Sequence, residues 1–348
     1  MTSSGNDRQL ERVPAGIVVP DARLDLTVNP YGPSFMVLEA LAGAEDLHLP
    51  AEGRADALGM RLAAALGAPA GSLLLANGID RLLLDLFGRM RGAGPLVLFP
   101  PTDPAPAALA SAAGLETLDL YRTPRFETSL DPEILNGLPP GWSAYVQSPN
   151  DPSGTILAAD DAVRLARRGE LLIIDERHGA YSPRNLLPLA REFDNVIVVR
   201  TLETWAGLAG LPLAYAVIPA RLRPRFMEAP ATTAPAMGAV IAGLATLDDL
   251  AAVQATVRQV RSERARLYRM LRKLNMVSVP YPTWSNFLLV RTERTTAPVL
   301  TAALARRGVR VAPVAEEALR ERTMRISAGR PEQTDLLRRA LIEIGVTL

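Results

Sequence analysis

The sequence predicts an α/β fold, in which a large domain built on a mostly parallel sheet is followed by a small α+β domain at the C-terminus. Apolar strands alternate with helices or short loops through the middle of the chain, and this alternation is typical of a parallel sheet. The strands read LLIID, NVIVV and LAYAVI. With 348 residues, of which 48% are hydrophobic, the chain is long enough for one large core and a smaller second domain.

The remaining elements follow from local signals. An extended segment over 24–34 ends in Pro and Gly turn residues, and a helix over 53–67 ends in Gly. The other predicted elements are a strand, turn and helix over 72–90, a strand and helix over 95–114, a strand and loop over 143–157, a strand over 170–181, helices over 236–275, and strands over 286–290 and 323–329.

Composition excludes several classes of function. The 38 basic and 37 acidic residues nearly cancel, so the chain has no broad attraction to nucleic acid or to an anionic membrane. The absence of cysteine excludes thiolate nucleophiles and Cys-ligated metals. We see no signal peptide and no apolar run of about 18 residues, the length that a membrane helix needs. We therefore expect a cytoplasmic protein that acts on a small molecule.

The segment over 195–215, NVIVVRTLETWAGLAGLPLAY, carries the strongest motif. It resembles the stretch R-T-F-S-K-x-[FY]-G-L-A-G-L-R-L-G-Y of histidinol-phosphate aminotransferases and threonine-phosphate decarboxylases. The resemblance extends over roughly residues 24 to 345. It implies a fold-type I pyridoxal-phosphate (PLP) transferase fold, similar to that of aspartate aminotransferase, and a homodimer with its site at the interface. It also implies an N-terminal arm and substrate loop over 1–35, a large domain over 36–220, and linking helices with a small domain over 221–348.

The same register places Thr204 where the family has its Schiff-base lysine, and Pro212 where it has a phosphate-binding arginine. Lys273 is the only lysine in the chain. Arginine cannot replace lysine in imine chemistry, because its guanidinium stays protonated and is not nucleophilic. The resemblance therefore predicts that the covalent tether of the cofactor is missing.

Several positions that hold PLP in the family carry different side chains here. The resemblance implies that a cofactor would meet the backbone at Gly78, Ile79 and Asp80, and the side chains of Asp175 and Thr201. Asp151 and His178 replace donors to the ring oxygen, and Glu203 stands beside the missing lysine. One charge pair at about 4 Å is worth about 4 kcal/mol at an effective dielectric constant of about 20, so these carboxylates should repel PLP. We expect no cofactor, with weak, noncovalent PLP as the alternative, and no metal.

The predicted substrate is an amino-acid-like carboxylate, which Arg325 would hold together with Asn29 and Tyr31 of the N-terminal loop. Our first hypothesis is a repurposed, PLP-independent enzyme that uses acid/base chemistry. Its catalytic residues would be His178, Glu203, Asp151 and Thr204. One alternative is an aminotransferase or decarboxylase that holds PLP noncovalently. The other alternative is a non-catalytic pseudoenzyme that binds a metabolite or a partner.

Overall fold

The computed structural model describes residues 22–227 and 234–347. The strands are β1 (Ala22–Leu24), β2 (Leu73–Ala76), β3 (Leu96–Leu98), β4 (Thr117–Asp119), β5 (Ser143–Gln147), β6 (Leu172–Asp175), β7 (Val196–Thr201), β8 (Ala214–Val217), β9 (Val277–Ser278), β10 (Phe287–Thr292), β11 (Val309–Pro313) and β12 (Thr323–Ser327). The helices are α1 (Phe35–Ala42), α2 (Glu52–Leu66), α3 (Ile79–Gly88), α4 (Ala105–Ala112), α5 (Pro132–Asn136), α6 (Ala159–Arg168), α7 (Leu189–Glu192), α8 (Arg223–Phe226), α9 (Met237–Asp248), α10 (Leu250–Leu271), α11 (Ala297–Ala305), α12 (Glu317–Arg320) and α13 (Pro331–Thr347).

The large sheet has the strand order β2-β8-β7-β6-β5-β3-β4 within the described ranges. The run from β4 through β7 is parallel, whereas β8 is antiparallel to β7 and β2 is antiparallel to β8. Gln147 at the end of β5 pairs with Asp175 at the end of β6, so these two strands end at the same level. The loops that follow β5, β6 and β7 therefore meet at the carboxyl edge of the sheet, which is the usual place for a binding site in such folds.

The small sheet has the strand order β1-β11-β12-β10-β9 in the part of the chain that the structure describes. Its edge strand comes from the beginning of the chain, because Ala22 pairs with Val309 in a parallel ladder. Arg325 lies on β12, between β10 and β11. The segment that follows β1 thus leaves the small sheet and runs toward the large one.

Close contacts between glycines join this N-terminal segment to the loop after β7. Gly207 has φ +74°, and a Cβ atom added there would lie 2.2 Å from the backbone carbon of Gly32. No side chain fits into that distance, so glycine at position 207 lets the two loops touch. The contact fixes the loop that carries Glu203 and Thr204.

The predicted helices and strands are found, and some of their ends are shifted. The helix predicted over 53–67 is α2, which ends at Gly67 in the left-handed conformation. The helices predicted over 236–275 are α9 and α10, and the chain bends by 87° at Asp249 between them. No single helix among the described residues is long and apolar enough to cross a membrane, and α9 with α10 passes that test only as a bent pair. The predicted boundaries at residues 35 and 220 remain predictions.

Candidate functional site

A cleft with a cavity of about 310 Å³ lies at the carboxyl edge of the large sheet. Loops after β5, β6 and β7 contribute to its lining, as do the start of α3, the N-terminal segment and β12 of the small sheet. Four carboxylates, two guanidinium groups and one imidazole line it. They belong to Asp80, Asp103, Asp151, Glu203, Arg177, Arg325 and His178.

Arg177 lies between two carboxylates at the base of this cleft. Its Nε donates to Oδ2 of Asp175 at 2.8 Å, and its Nη1 donates to Oδ2 of Asp103 at 3.1 Å. Asp175 is fully buried and also accepts from the backbone N–H of Arg177 at 2.8 Å and from the hydroxyl of Tyr145 at 2.5 Å. Both oxygens of Asp175 are therefore engaged within the protein.

Asp151 and Arg325 form an ion pair that joins the loop after β5 to β12 of the small sheet. Nη1 of Arg325 donates to Oδ2 of Asp151, and Nη2 donates to the backbone oxygen of Asp25 at 3.0 Å. The guanidinium also lies 5.3 Å from the ring centre of Phe287. Burial raises the pKa of Asp151, and the charge of Arg325 opposes that rise.

Glu203 places a carboxylate at the beginning of α3. Its Oε1 accepts from the backbone N–H of Ile79 at 3.1 Å and from the hydroxyl of Thr201 at 2.8 Å. A helix N-terminus favours negative charge, because its first N–H groups have no partner inside the helix. Burial nevertheless raises the pKa of Glu203, and the hydrogen bonds from Thr201 and Ile79 only partly offset this effect.

His178 and Thr204 are both buried and face the cleft in different ways. Burial, together with the charges of Arg177 and Arg325, holds the pKa of His178 well below its usual value, so the imidazole is neutral. Its Nδ1 is buried and has no hydrogen-bond partner in the described part of the chain. The hydroxyl of Thr204 donates to the backbone oxygen of Arg177 at 2.6 Å, which ties the loop after β7 to the loop after β6.

Most of the residues that the sequence singles out come together in this cleft. Those that line it are His178, Glu203, Asp151, Thr204, Arg325, Ile79, Asp80 and Thr201. Gly78 packs against the carboxylate of Glu203, and Asp175 lies behind Arg177.

Asn29 and Tyr31 are not part of the lining, in contrast to Thr27 and Val28 of the same segment. The amide of Asn29 is buried and donates to the backbone oxygen of Trp205 at 2.8 Å and to the hydroxyl of Thr256 at 2.7 Å. The ring of Tyr31 lies 5.3 Å from the guanidinium carbon of Arg330. Their side chains are thus engaged in holding the N-terminal segment, and a substrate role for either one remains a prediction.

Sequence reasoning missed Arg177 and the pairing role of Asp103. The available signal was the run DERH, which begins at the last residue of β6 and in which a cation follows a buried carboxylate by two positions. That spacing lets the guanidinium fold back onto Asp175, as the hydrogen bonds show.

Comparison with known proteins identifies the family. Residues 143–341 match the family described as aminotransferase class I and II. Histidinol-phosphate aminotransferase 1 of Arabidopsis thaliana is 30% identical over 339 residues, which cover 96% of this chain and 79% of that protein. The chain belongs to the aminotransferase class I and II family. The resemblance inferred from the sequence is thereby confirmed at the level of the family.

Solved structures of family members have the same fold. Histidinol-phosphate aminotransferase from Sinorhizobium meliloti, solved in complex with pyridoxal-5'-phosphate, superposes with a TM-score of 0.81 at 23% identity and covers 94% of this chain and 91% of its own. L-threonine-O-3-phosphate decarboxylase from Porphyromonas gingivalis gives 0.80 at 18% identity, with 93% and 99% coverage. The predicted fold-type I PLP-transferase fold is confirmed.

The expectation that no cofactor is used is wrong for this family. The family match, the aminotransferase relatives and the neighbour that carries pyridoxal-5'-phosphate indicate PLP-dependent enzymes. That expectation rested on single side chains, whereas the family match covers residues 143–341.

The side chains of this cleft, as the structure arranges them, do not fit that group. The N–H of Ile79 is taken by Glu203, and both oxygens of Asp175 are held by Arg177 and Tyr145. Lys273 is exposed in the turn after α10 and is not part of the cleft lining.

Proposed function

We propose that this protein binds a small primary amine in the cleft, and that its carboxylates recognise the ammonium group. The carboxylates Asp80, Asp103, Asp151 and Glu203 outnumber the two arginines of the lining. Both arginines are already paired, Arg177 with Asp103 and Arg325 with Asp151. When all four carboxylates are ionised, the lining carries two more negative than positive charges, and such a cleft concentrates cations.

The observation that carries this proposal is that two carboxylate oxygens in the cleft accept no hydrogen bond from the described residues. No described residue donates to Oε2 of Glu203 or to Oδ1 of Asp151, whereas the second oxygen of each carboxylate is bound. An ammonium group has three N–H donors and no acceptor. Open carboxylate oxygens on two sides of one cleft suit such a donor, and hydrogen bonds between ionised groups are stronger than neutral ones.

Glu203 is the residue that we assign to proton transfer. Its raised pKa makes it a stronger proton acceptor than an ordinary glutamate, so it can take a proton from the bound ammonium and return it. His178, which is neutral, would serve as a hydrogen-bonding group through its ring nitrogens. Thr204 would hold the loop through its bond to Arg177, and Asp151 would contribute charge.

The names of the relatives agree with an amine as substrate. Both histidinol phosphate and L-threonine-O-3-phosphate carry a primary amino group, which is the group that an aminotransferase transfers or a decarboxylase activates. We propose an amine of comparable size for this chain. Replacement of the Schiff-base lysine by Thr204 is part of the same proposal, and the remote position of Lys273 supports it.

Calorimetric titration with matched ligands tests amine binding. L-histidinol and 4-imidazolepropanol share the ring and the alcohol, and only the former has an amino group. We expect saturable binding of histidinol and at least tenfold weaker binding of the deaminated compound, a difference of about 1.4 kcal/mol. L-threoninol and butane-1,3-diol provide a second pair with a different side chain. Equal affinity within both pairs, or no binding of either amine, would overturn the proposal.

A second copy of the chain is proposed as the partner, as the resemblance implied. Large apolar side chains are exposed on α1 and in the segment after it, which is unusual for a surface in contact with water. They are Phe35 at 75%, Leu38 at 54%, Leu47 at 54% and Leu49 at 50% exposure. A cytoplasmic location also stays a proposal.

A further inference from the structure

We propose that Asp151 sets the substrate specificity of the cleft by forming an ion pair with the guanidinium of Arg325. As a result, the protein binds amines without a carboxylate group in preference to α-amino acids. This inference rests on the proposed amine-binding function and narrows its substrate class. It departs from our prediction that Arg325 holds a substrate carboxylate.

Both terminal nitrogens of Arg325 already have a protein acceptor. A carboxylate is held most strongly by two parallel N–H groups of one guanidinium. Here Nη1 binds Asp151 and Nη2 binds the backbone oxygen of Asp25 at 3.0 Å. Nε is buried and without a partner among the described residues, and each terminal nitrogen keeps a second N–H, so a substrate carboxylate would have to share this guanidinium with Asp151.

The position of Asp151 is fixed by its own loop. Its backbone N–H donates to the side-chain oxygen of Gln147 at 2.9 Å. The preceding residue, Asn150, is fully buried, and its amide donates to Ser153 Oγ at 2.8 Å and to the backbone oxygen of Pro101 at 3.2 Å. Because the loop is held at several points, Asp151 stays opposite Arg325 without help from a ligand.

A substrate carboxylate would have to share Arg325 with Asp151 or displace Asp151 from this pair. The side chains of Arg325 and Asp151 are only 19% and 14% exposed, so water cannot easily replace the lost partner. Breaking a buried ion pair leaves an uncompensated charge, which is strongly unfavourable. An added carboxylate would also face Asp103 and Glu203 across the same cavity. An alcohol or a hydrogen in its place meets neither obstacle.

Matched ligands and one substitution test the inference by calorimetry. L-histidinol and L-histidine differ only in an alcohol against a carboxylate, and 4-imidazolepropanoate keeps the carboxylate without the amine. We expect wild type to bind histidinol at least tenfold more tightly than histidine, and not to bind imidazolepropanoate. In Asp151→Asn, Arg325 becomes available, so the affinities for histidine and imidazolepropanoate should rise by at least tenfold.

Asp248→Asn is the matched control, because Asp248 pairs with Arg61 on the surface, with both side chains more than 40% exposed. It should leave all three affinities unchanged. Histidine binding wild type as tightly as histidinol, or imidazolepropanoate binding wild type and Asp151→Asn equally, would overturn the inference. If neither amine binds but Asp151→Asn alone takes imidazolepropanoate, amine recognition fails and the role of Asp151 stands. Should Asp151→Asn not fold, the wild-type comparison of histidinol with histidine decides.

Discussion

Nε of Arg177 donates at 2.8 Å to Oδ2 of Asp175, a carboxylate with no exposed surface. The two residues are separated by one position in the chain. The guanidinium of Arg177 therefore folds back onto Asp175, which is the last residue of β6. Nη1 of the same guanidinium donates a hydrogen bond to Oδ2 of Asp103 at 3.1 Å. The base of the cleft is thus a carboxylate, an arginine and a second carboxylate in contact.

Arg177→Met should destabilise the protein by about 3 to 5 kcal/mol, because it removes the guanidinium that pairs with the buried Asp175 and leaves only Tyr145 and the backbone N–H of residue 177 as donors. Urea unfolding followed by circular dichroism measures the change. Asp175→Asn added to Arg177→Met should recover part of the loss, since it removes the unpaired charge. Arg221→Met is the control: Arg221 is 55% exposed and bridges Glu170 and Asp194, so its loss should cost at most about 1 kcal/mol. Similar losses for both arginines would contradict this reading.

Glu203→Gln should raise the melting temperature at neutral pH. Burial raises the pKa of Glu203, and Asp80 adds to the rise, whereas Thr201, Ile79 and Arg177 oppose it. The folded protein therefore binds this proton more tightly than the unfolded chain does, and wild-type stability falls as pH increases from the unfolded pKa through the raised folded one.

Glutamine retains an acceptor for Ile79 and Thr201 and has no charge to desolvate. The advantage of Glu203→Gln over wild type should thus be absent below the unfolded pKa and grow across that window, as differential scanning calorimetry from pH 4 to pH 8 would reveal. The same variant should bind histidinol more weakly at neutral pH. An advantage that is equally large at pH 4 would contradict the assignment.

Gly207→Ala should destabilise the protein by about 3 kcal/mol, because the new methyl group would meet the backbone of Gly32 at 2.2 Å and the residue keeps φ +74°. Gly210→Ala, in the same loop, has no atom within 4 Å of the added carbon and no positive φ, so it should stay within about 1 kcal/mol of wild type. Thermal unfolding of the pair provides the comparison. Equal stability of the two variants would mean that the loops separate easily.

Phe35→Ser combined with Leu38→Ser should convert a dimer into a monomer, because both changes place a hydroxyl in the apolar contact that we propose. Light scattering after size exclusion should give about twice 37.4 kDa for wild type and 37.4 kDa for the double variant. Val299→Ser, which changes a residue that is 51% exposed on α11, should leave the mass unchanged. A wild-type mass of one chain would refute the proposed partner.

The sequence was sufficient to predict the fold, because the buried strands of the large sheet are short apolar runs separated by helices. The resemblance to the family predicted that Asp151, His178 and Glu203 share one site, and all three line the cleft. The sequence could not predict that Asp151 binds Arg325, because the two residues are 174 positions apart and each has several charged neighbours in the chain.

Two local features could not be predicted from the sequence. The bend at Asp249 lies between an apolar and a charged helical segment, and no Pro or Gly stands at the break to mark it. The strand β1 has three residues, too few for an alternation to be recognised. In both places the surrounding structure determines the backbone, and local propensity does not.

The pairing of β1 with β11 has a consequence for synthesis of the protein. Ala22 is translated before every strand of the large sheet, whereas its partner Val309 is translated after all of them. Every strand of the large sheet is translated before β9, so that sheet can assemble while the small one is still missing. Until β11 has been translated, β1 has no partner strand, and unpaired strand edges can associate with other chains. The small sheet can therefore form only after strands β9 to β12 have been translated.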